Sequence, residues 1–176
     1  KHFKYTNDKP LDNFYTIIPS VGFCGNLCLE YTKARQLVNS VFLSSNQLKC
    51  DIIERKCFVK NESLMTLENR QNQFYNNMKN NTFILATRGG GNWSMRFYEI
   101  MCAGRIPVLL DTDILLPKED EINWKELIII DKNVDKLVEK VIEWNSYGKE
   151  FIYNKQNEIF NVWFNKLRPQ IFFNNL

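Results

Sequence analysis

Residues 82–110 read TFILATRGGGNWSMRFYEIMCAGRIPVLL, and this stretch decides the fold. Thr82–Thr87 and Ile106–Leu110 are short apolar runs of strand length, while Ser94–Ala103 between them has helical spacing and is closed by Gly104. A strand, a helix and a second strand in close succession form the unit from which parallel sheets are built, because the helix carries the chain back to the end where the first strand began.

The same rhythm extends outward. Upstream, Tyr15–Ile18 reads as a short strand running into a loop with Gly22 and Gly25. A helix follows from about Glu30 to Phe42, with Ala34, Leu37, Val38 and Val41 on one face, then a brief strand, Cys50–Ile53. Leu64–Asn80 is a polar-rich helix with apolar positions at Leu64, Leu67, Phe74, Tyr75 and Met78. Downstream, Leu127–Ile130 suits a strand and Val134–Asn145 an amphipathic helix bearing Leu137, Val138, Val141, Ile142 and Trp144. A last amphipathic segment, Lys149–Leu167, completes the regular structure. The expected fold is α/β: a Rossmann-like parallel sheet with helices on both faces, in a single domain over roughly 15–146 with a helical tail at 147–176.

Composition narrows the functions this fold can carry. The chain has 176 residues, 44% of them hydrophobic, enough for one sizeable core. Lys plus Arg number 23 and Asp plus Glu 20, so a net charge of +3 spread in mixed sign argues against a dedicated nucleic-acid surface. An anion site must therefore be local. No stretch approaches the roughly 18 apolar residues of a membrane span, and the opening KHFKYTNDKPLDNF lacks the apolar centre of a signal peptide. No membrane contact is expected of this segment. A cytoplasmic location is expected, with any targeting information carried by sequence upstream of Lys1.

Cys24, Cys28, Cys50, Cys57 and Cys102 make an odd count, CGNLC is not a CxxC pair, and the one histidine is His2. Free thiols are expected, and no metal site. Three N-x-S/T sequons fall at Asn61, Asn80 and Asn92; a glycan on the last would cover the glycine-rich loop, which favours chance occurrence.

That loop holds the candidate site. In open α/β sheets ligands bind beyond the carboxyl ends of the strands, where loops lead into helix N-termini. Gly89, Gly90 and Gly91 let backbone amides approach a ligand closely, and the helix starting near Ser94 offers unpaired N–H groups, a natural seat for phosphate. Arg88 and Arg96 add guanidinium forks suited to a diphosphate. Glu99, a turn beyond Arg96, is an acceptor for the vicinal hydroxyls of a ribose. The same spacing also suits a surface ion pair between Arg96 and Glu99, and the glycines also suit a plain tight turn. A dinucleotide-binding oxidoreductase is the rival reading, since Gly89-x-Gly91-x-x-Ser94 approaches the dinucleotide fingerprint and Asp111 falls near its ribose-binding acid. Against it, Ser94 replaces the third glycine and the motif lies well into the chain. No G-K-[ST] follows, so a P-loop has less support.

Residues 80–124 resemble the nucleotide-sugar half of the exostosin family of glycosyltransferases, glycosyltransferase family forty-seven. The resemblance is carried by Arg88-Gly89, Ser94, Arg96, Glu99, Gly104, Ile106-Pro107-Val108, Asp111, Leu116-Pro117, and Ile122 with Trp124. GFCGN at 22–26 is similar to the loop after that family's first strand, and the RGxGN version looks nearer to bacterial and viral members. The resemblance implies the C-terminal half of a GT-B enzyme that transfers a sugar from a nucleoside-diphosphate donor, a UDP-sugar by preference, to a glycan or other hydroxyl acceptor. It further implies inversion at the anomeric carbon and no bound metal. Arg88 and Arg96 would then neutralise the diphosphate, Ser94 and the glycine amides would hold phosphate oxygens, and Glu99 would take the ribose. Gly22, Gly25 and Asn26 would line the opposite rim, and Asp111 and Asp113 would face the donor sugar, although both also suit a solvated loop.

One Rossmann unit is half of a GT-B enzyme. The acceptor-binding domain that usually supplies the base is expected outside this sequence, the catalytic residue is unassigned, and the segment alone is expected to transfer sugar weakly or not at all. A nucleotide-sugar binding module acting through a partner chain is the alternative. The aromatic tail FNVWFNKLRPQIFFNNL either packs on its own sheet or meets an N-terminal domain or a second copy.

Overall fold

A computed structural model describes residues 8–27, 33–55, 64–89, 91–92 and 94–172, with backbone alone at 64, 65 and 172. Five strands form one parallel sheet: β1 Ser20–Asn26, β2 Lys49–Arg55, β3 Phe83–Leu85, β4 Ile106–Leu110 and β5 Ile129–Asp131, in spatial order β2-β1-β3-β4-β5. Between them run α1 Lys33–Ser44, α2 Leu64–Lys79, α3 Met95–Cys102 and the short α4 Trp124–Leu127. After β5 come α5 Val134–Ser146, α6 Gly148–Val162, a wide π turn at Trp163–Leu167 and α7 Pro169–Phe172. The strand order reverses direction between β1 and β3, so the connections leaving these two neighbours run to opposite sides and leave a crevice at their carboxyl ends.

Side-chain alternation explains why helices cover both faces. In β1, Phe23 lies beneath α1, whose Arg35 reaches its ring, while Gly22 faces α2, where an added Cβ would come within 2.9 Å of Asn77, Asn81 and Ile84. The core is continuous through Val21, Phe83, Leu85, Val108 and Ile129 of the sheet and Val38, Phe42, Ile100, Leu137 and Val141 of the helices.

The first strand lies later than the sequence reading places it. Tyr15–Ile18 is not a strand: Ile17 is 88% exposed, and the strand begins after Pro19. Small residues in SVGFCGN suggest a loop, yet a central strand needs them wherever a helix approaches its backbone closely. Residues 10–18 instead cross below the sheet as a strap. Leu11 N–H donates to the Ala103 carbonyl (3.2 Å) and Phe14 exchanges bonds with the Gln156 amide (3.0 and 2.8 Å). Asn145 donates to the carbonyls of Thr16 and Ile17. Arg105, 1% exposed, fastens the strap to the end of α2 by donating to the carbonyls of Asp12, Met78, Lys79 and Gly104. Burial pushes its pKa down to about 10, partly opposed by Asp12, so it stays charged among the unpaired carbonyls of a helix C-terminus.

Elsewhere the differences are smaller. Glu30 lies outside the described residues, and α1 turns Val38, Asn39 and Phe42 inward while Leu37 is 53% exposed. The strand Cys50–Ile53 is longer, spanning Lys49–Arg55. Leu127 closes α4, and β5 starts at Ile129. Gly104 takes the left-handed conformation (φ 62°) that ends α3. In the tail, Ile159, Phe160, Trp163 and Leu167 are buried and the π turn packs on α3, which covers these side chains within the chain itself. Phe164 lies under Arg168, whose guanidinium carbon is 3.8 Å from the ring centroid. No helix among the described residues is long and apolar enough to cross a membrane.

Candidate functional site

The crevice between the carboxyl ends of β1 and β3 contains a cavity of about 350 Å³, lined by Arg35, Gly89, Gly91, Ser94, Met95, Arg96 and Glu99. Six of the seven lie within residues 89–99, and five of these, all but Met95, are candidate site residues of the sequence reading. Gly89 and Gly91 follow β3, Ser94 is the residue before α3 with extended backbone (φ −140°, ψ 122°), and Arg96 stands in the first turn of α3, a turn before Glu99. The Ser94 side chain does not cap this helix end, and the Phe97 N–H turns back to the Ser94 carbonyl (3.0 Å). Gly90 lies outside the described residues, as do His2, Cys28, Cys57 and the Asn61 sequon.

Arg96 is the unusual member. Its guanidinium carbon sits 4.9 Å from the centroid of the Phe23 ring and 5.3 Å from that of Phe74, crossing the tip of β1. Gly25 makes room for it: a Cβ there would stand 2.8 Å from Nη1 and 3.1 Å from Nη2. Nε and Nη1 are buried and have no hydrogen-bond partner among the described residues. Burial pushes the pKa of Arg96 down to about 10; Glu99 opposes this and Arg35 adds to it. Buried guanidinium nitrogens without a partner are costly, and an arriving anion would reduce that cost. The Arg96 head is held between two rings rather than spread on the surface, and Glu99 acts on it electrostatically.

Arg35 is the site residue that sequence reasoning missed. From the first turn of α1 it donates through Nε to the Arg88 carbonyl (2.8 Å) and through Nη1 to the Asn26 carbonyl (3.3 Å). Its guanidinium carbon stands 5.9 Å from the Phe23 centroid, over the same ring as Arg96, and its Nη2 would meet a Cβ on Gly89 at 3.1 Å. Burial lowers its pKa. Local spacing gave no signal for it, because it is 53 residues from its partner Arg88. Two guanidiniums thus converge on the cavity, although they are not the predicted pair: Arg88 contributes its carbonyl as the acceptor for Arg35, and its side chain is not on the cavity wall.

The expected opposite rim is placed differently. Gly22 is in the middle of β1 beneath Asn77 and Asn81, Gly25 is the gap filled by Arg96, and Asn26 takes part through its carbonyl. Asp111 and Asp113 lie after β4. Asp111 accepts from the Asp113 N–H (2.9 Å), and Asp113 pairs with Lys132 (2.5 Å). Asp111 lines a separate groove of about 1090 Å³ beside β5, together with Trp124, Lys132 and Trp144. The positively polarised groups at the smaller cavity are therefore Arg35, Arg96 and the α3 N-terminus. Among the described residues no group of three or more His, Cys, Asp or Glu side chains is placed to hold a metal, and Cys24, Cys50 and Cys102 are free thiols.

The sequence matches the Exostosin GT47 domain family over residues 30–143. It is similar to a "Probable glucuronosyltransferase" of Oryza sativa subsp. japonica, 36% identical over 66 residues that cover 36% of this chain and 16% of the relative. It is likewise similar to "Exostosin-1" of Drosophila melanogaster, 46% identical over 52 residues covering 30% of this chain and 7% of the relative. A third relative is a "Probable beta-1,4-xylosyltransferase" of Arabidopsis thaliana, 36% identical over 66 residues covering 36% and 16%. The matched segment is thus a small part of each relative. These relatives are plant and insect proteins, and the expected nearness to bacterial and viral members finds no support among them.

Proposed function

The chain belongs to the exostosin GT47 family, and from that premise we propose that it is the donor-binding unit of a glycosyltransferase acting on a nucleoside-diphosphate sugar. The observation that carries the reading is the buried Arg96 guanidinium, with Nε and Nη1 unpaired among the described residues, beside Arg35 on a cavity that also holds two glycines and the α3 N-terminus. Family membership also removes the dinucleotide oxidoreductase reading. In this fold the glycine-rich loop follows the third strand in sequence, not the first as in the dinucleotide fingerprint.

In the proposed reaction an acceptor hydroxyl attacks the anomeric carbon from the face opposite the diphosphate. A new glycosidic C–O bond forms as the bond from the anomeric carbon to the phosphate oxygen breaks, inverting the configuration. The electron pair leaves with the nucleoside diphosphate, and the hydroxyl proton goes to a base supplied from outside this sequence. Arg35 and Arg96 stabilise the charge that grows on the leaving diphosphate in a site where little solvent competes. The Ser94 region and the first amides of α3 hold phosphate oxygens, and Glu99 accepts from the ribose hydroxyls. Guanidinium groups and helix amides carry the neutralisation in this reading, with no metal. UDP is the proposed nucleotide, and the relatives' names point to a uronic acid or xylose as the sugar to try first.

Calorimetric titration with UDP, GDP, dTDP and NADH, without added metal, tests the proposal. One nucleoside diphosphate is expected to bind, and Arg96→Ala and Glu99→Ala are each expected to weaken it. Binding of NADH alone, or nucleotide binding that neither substitution touches, refutes it.

A further inference from the structure

Asn92 joins the glycine-rich loop to the loop that follows β4. Its amide nitrogen donates to the carbonyls of Thr112 (2.9 Å) and Asp113 (3.1 Å), and its amide oxygen accepts from the Thr112 hydroxyl at 2.5 Å. Both donor hydrogens and one acceptor site are used, which an amide can satisfy and a carboxylate cannot. The receiving loop is not relaxed by itself. Asp113 has φ 59°, in the left-handed region that costs a side-chain-bearing residue, and it is held there by Asn92 on its carbonyl and by Asp111 on its N–H. The Asp113 carboxylate is taken by Lys132, leaving Asp111 as the carboxylate whose direction this turn sets.

The bonds therefore run from the cavity wall at Gly91, through its neighbour Asn92, to Thr112 and Asp113, and from there to Asp111, which lines the larger groove. We propose that Asn92 is a positioning residue: it locks residues 111–113 to the phosphate-binding loop, so that a diphosphate in the small cavity fixes Asp111 for contact with the donor sugar. The coupling to ligand rests on the donor-site reading above. The brace itself does not, and the experiment separates the two.

Amide hydrogen exchange is measured first on the unliganded protein, wild type, Asn92→Ala and Thr112→Val. The 112–113 amides are expected to exchange about tenfold faster in Asn92→Ala, with a smaller change in Thr112→Val, which keeps the bonds to the two carbonyls. Unchanged exchange there overturns the brace. The measurement is repeated with UDP and with UDP-glucuronic acid. In the wild type, UDP is expected to protect both 94–99 and 111–113; in Asn92→Ala it protects 94–99 alone, and affinity for UDP-glucuronic acid falls about tenfold relative to UDP. Equal protection of 111–113 in both proteins overturns the coupling, as does an equal loss of affinity for the two ligands, which a merely structural role would produce. If UDP protects nothing in the wild type, the donor-site reading fails while the unliganded comparison still decides the brace.

Discussion

Gly25→Ala is a methyl-sized probe of the Arg96 seat. The added Cβ would lie 2.8 Å from Nη1 and 3.1 Å from Nη2 of Arg96, and 3.0 Å from Cζ of Phe23. Favourable contact begins near 3.5 Å, so the guanidinium must retreat by roughly 0.5 Å or more. It is the far end of a long side chain, and the fold can absorb this movement: the overpacking cost is expected at the low end, about 1 kcal/mol, partly offset by the lower chain entropy of alanine. The anion site cannot absorb it, because charge-assisted bonds depend on where the fork points. Losing about half of such a bond raises the dissociation constant for UDP roughly tenfold. The assay pairs calorimetric titration with thermal unfolding, expected to move by about 3 °C or less. Gly22→Ala is the control: its Cβ would press at 2.9 Å on Asn77, Asn81 and Ile84, away from the cavity, so stability should fall with little specific loss of affinity. UDP binding by Gly25→Ala within twofold of wild type would refute the claim that Gly25 exists to seat Arg96.

Three further outcomes follow from the same geometry. Arg96→Met should abolish UDP binding while leaving the unliganded melting temperature unchanged or a few degrees higher, because relief of a buried charge with two unpartnered nitrogens outweighs the lost contacts with Phe23, Phe74 and the field of Glu99; a clear drop in thermal scans would contradict this. Arg35→Gln should weaken UDP binding by about tenfold or more and Arg88→Gln by less, since Arg35 lines the cavity and Arg88 offers its carbonyl; the reverse ranking by titration would return Arg88 to its sequence-based role. Arg105→Lys should cost about 2–4 kcal/mol in denaturant unfolding, because one ammonium cannot reach the carbonyls of Asp12, Met78 and Lys79 together, whereas UDP affinity of the folded protein should hold.

Some of this was legible in the sequence and some was not, for reasons that residues make plain. The unit around the glycine-rich loop could be read because each of its signals is local: an apolar run of strand length, a Gly104 stop, and β4 with every residue buried. The first strand was misplaced because Gly22 and Gly25 look like loop residues until α2 and Arg96 are seen pressing on them. The tail aromatics were ambiguous because periodicity marks an apolar face without naming what covers it, and here α3 does.

The parallel α/β class, the position of the glycine-rich loop and the candidacy of Arg96, Ser94 and Glu99 follow from sequence, since propensity and spacing act over a few residues. Only packing puts Arg35 on the cavity wall beside Arg96, makes Gly25 a seat for Arg96, and lets Arg105 fasten the strap from within. These roles depend on chain reversal at the β1/β3 boundary, which brings Arg35 to a carbonyl 53 residues away. Burial and desolvation, which lower the pKa of Arg96 and leave its Nε and Nη1 without a partner among the described residues, are properties of that packing and not of any short stretch of chain.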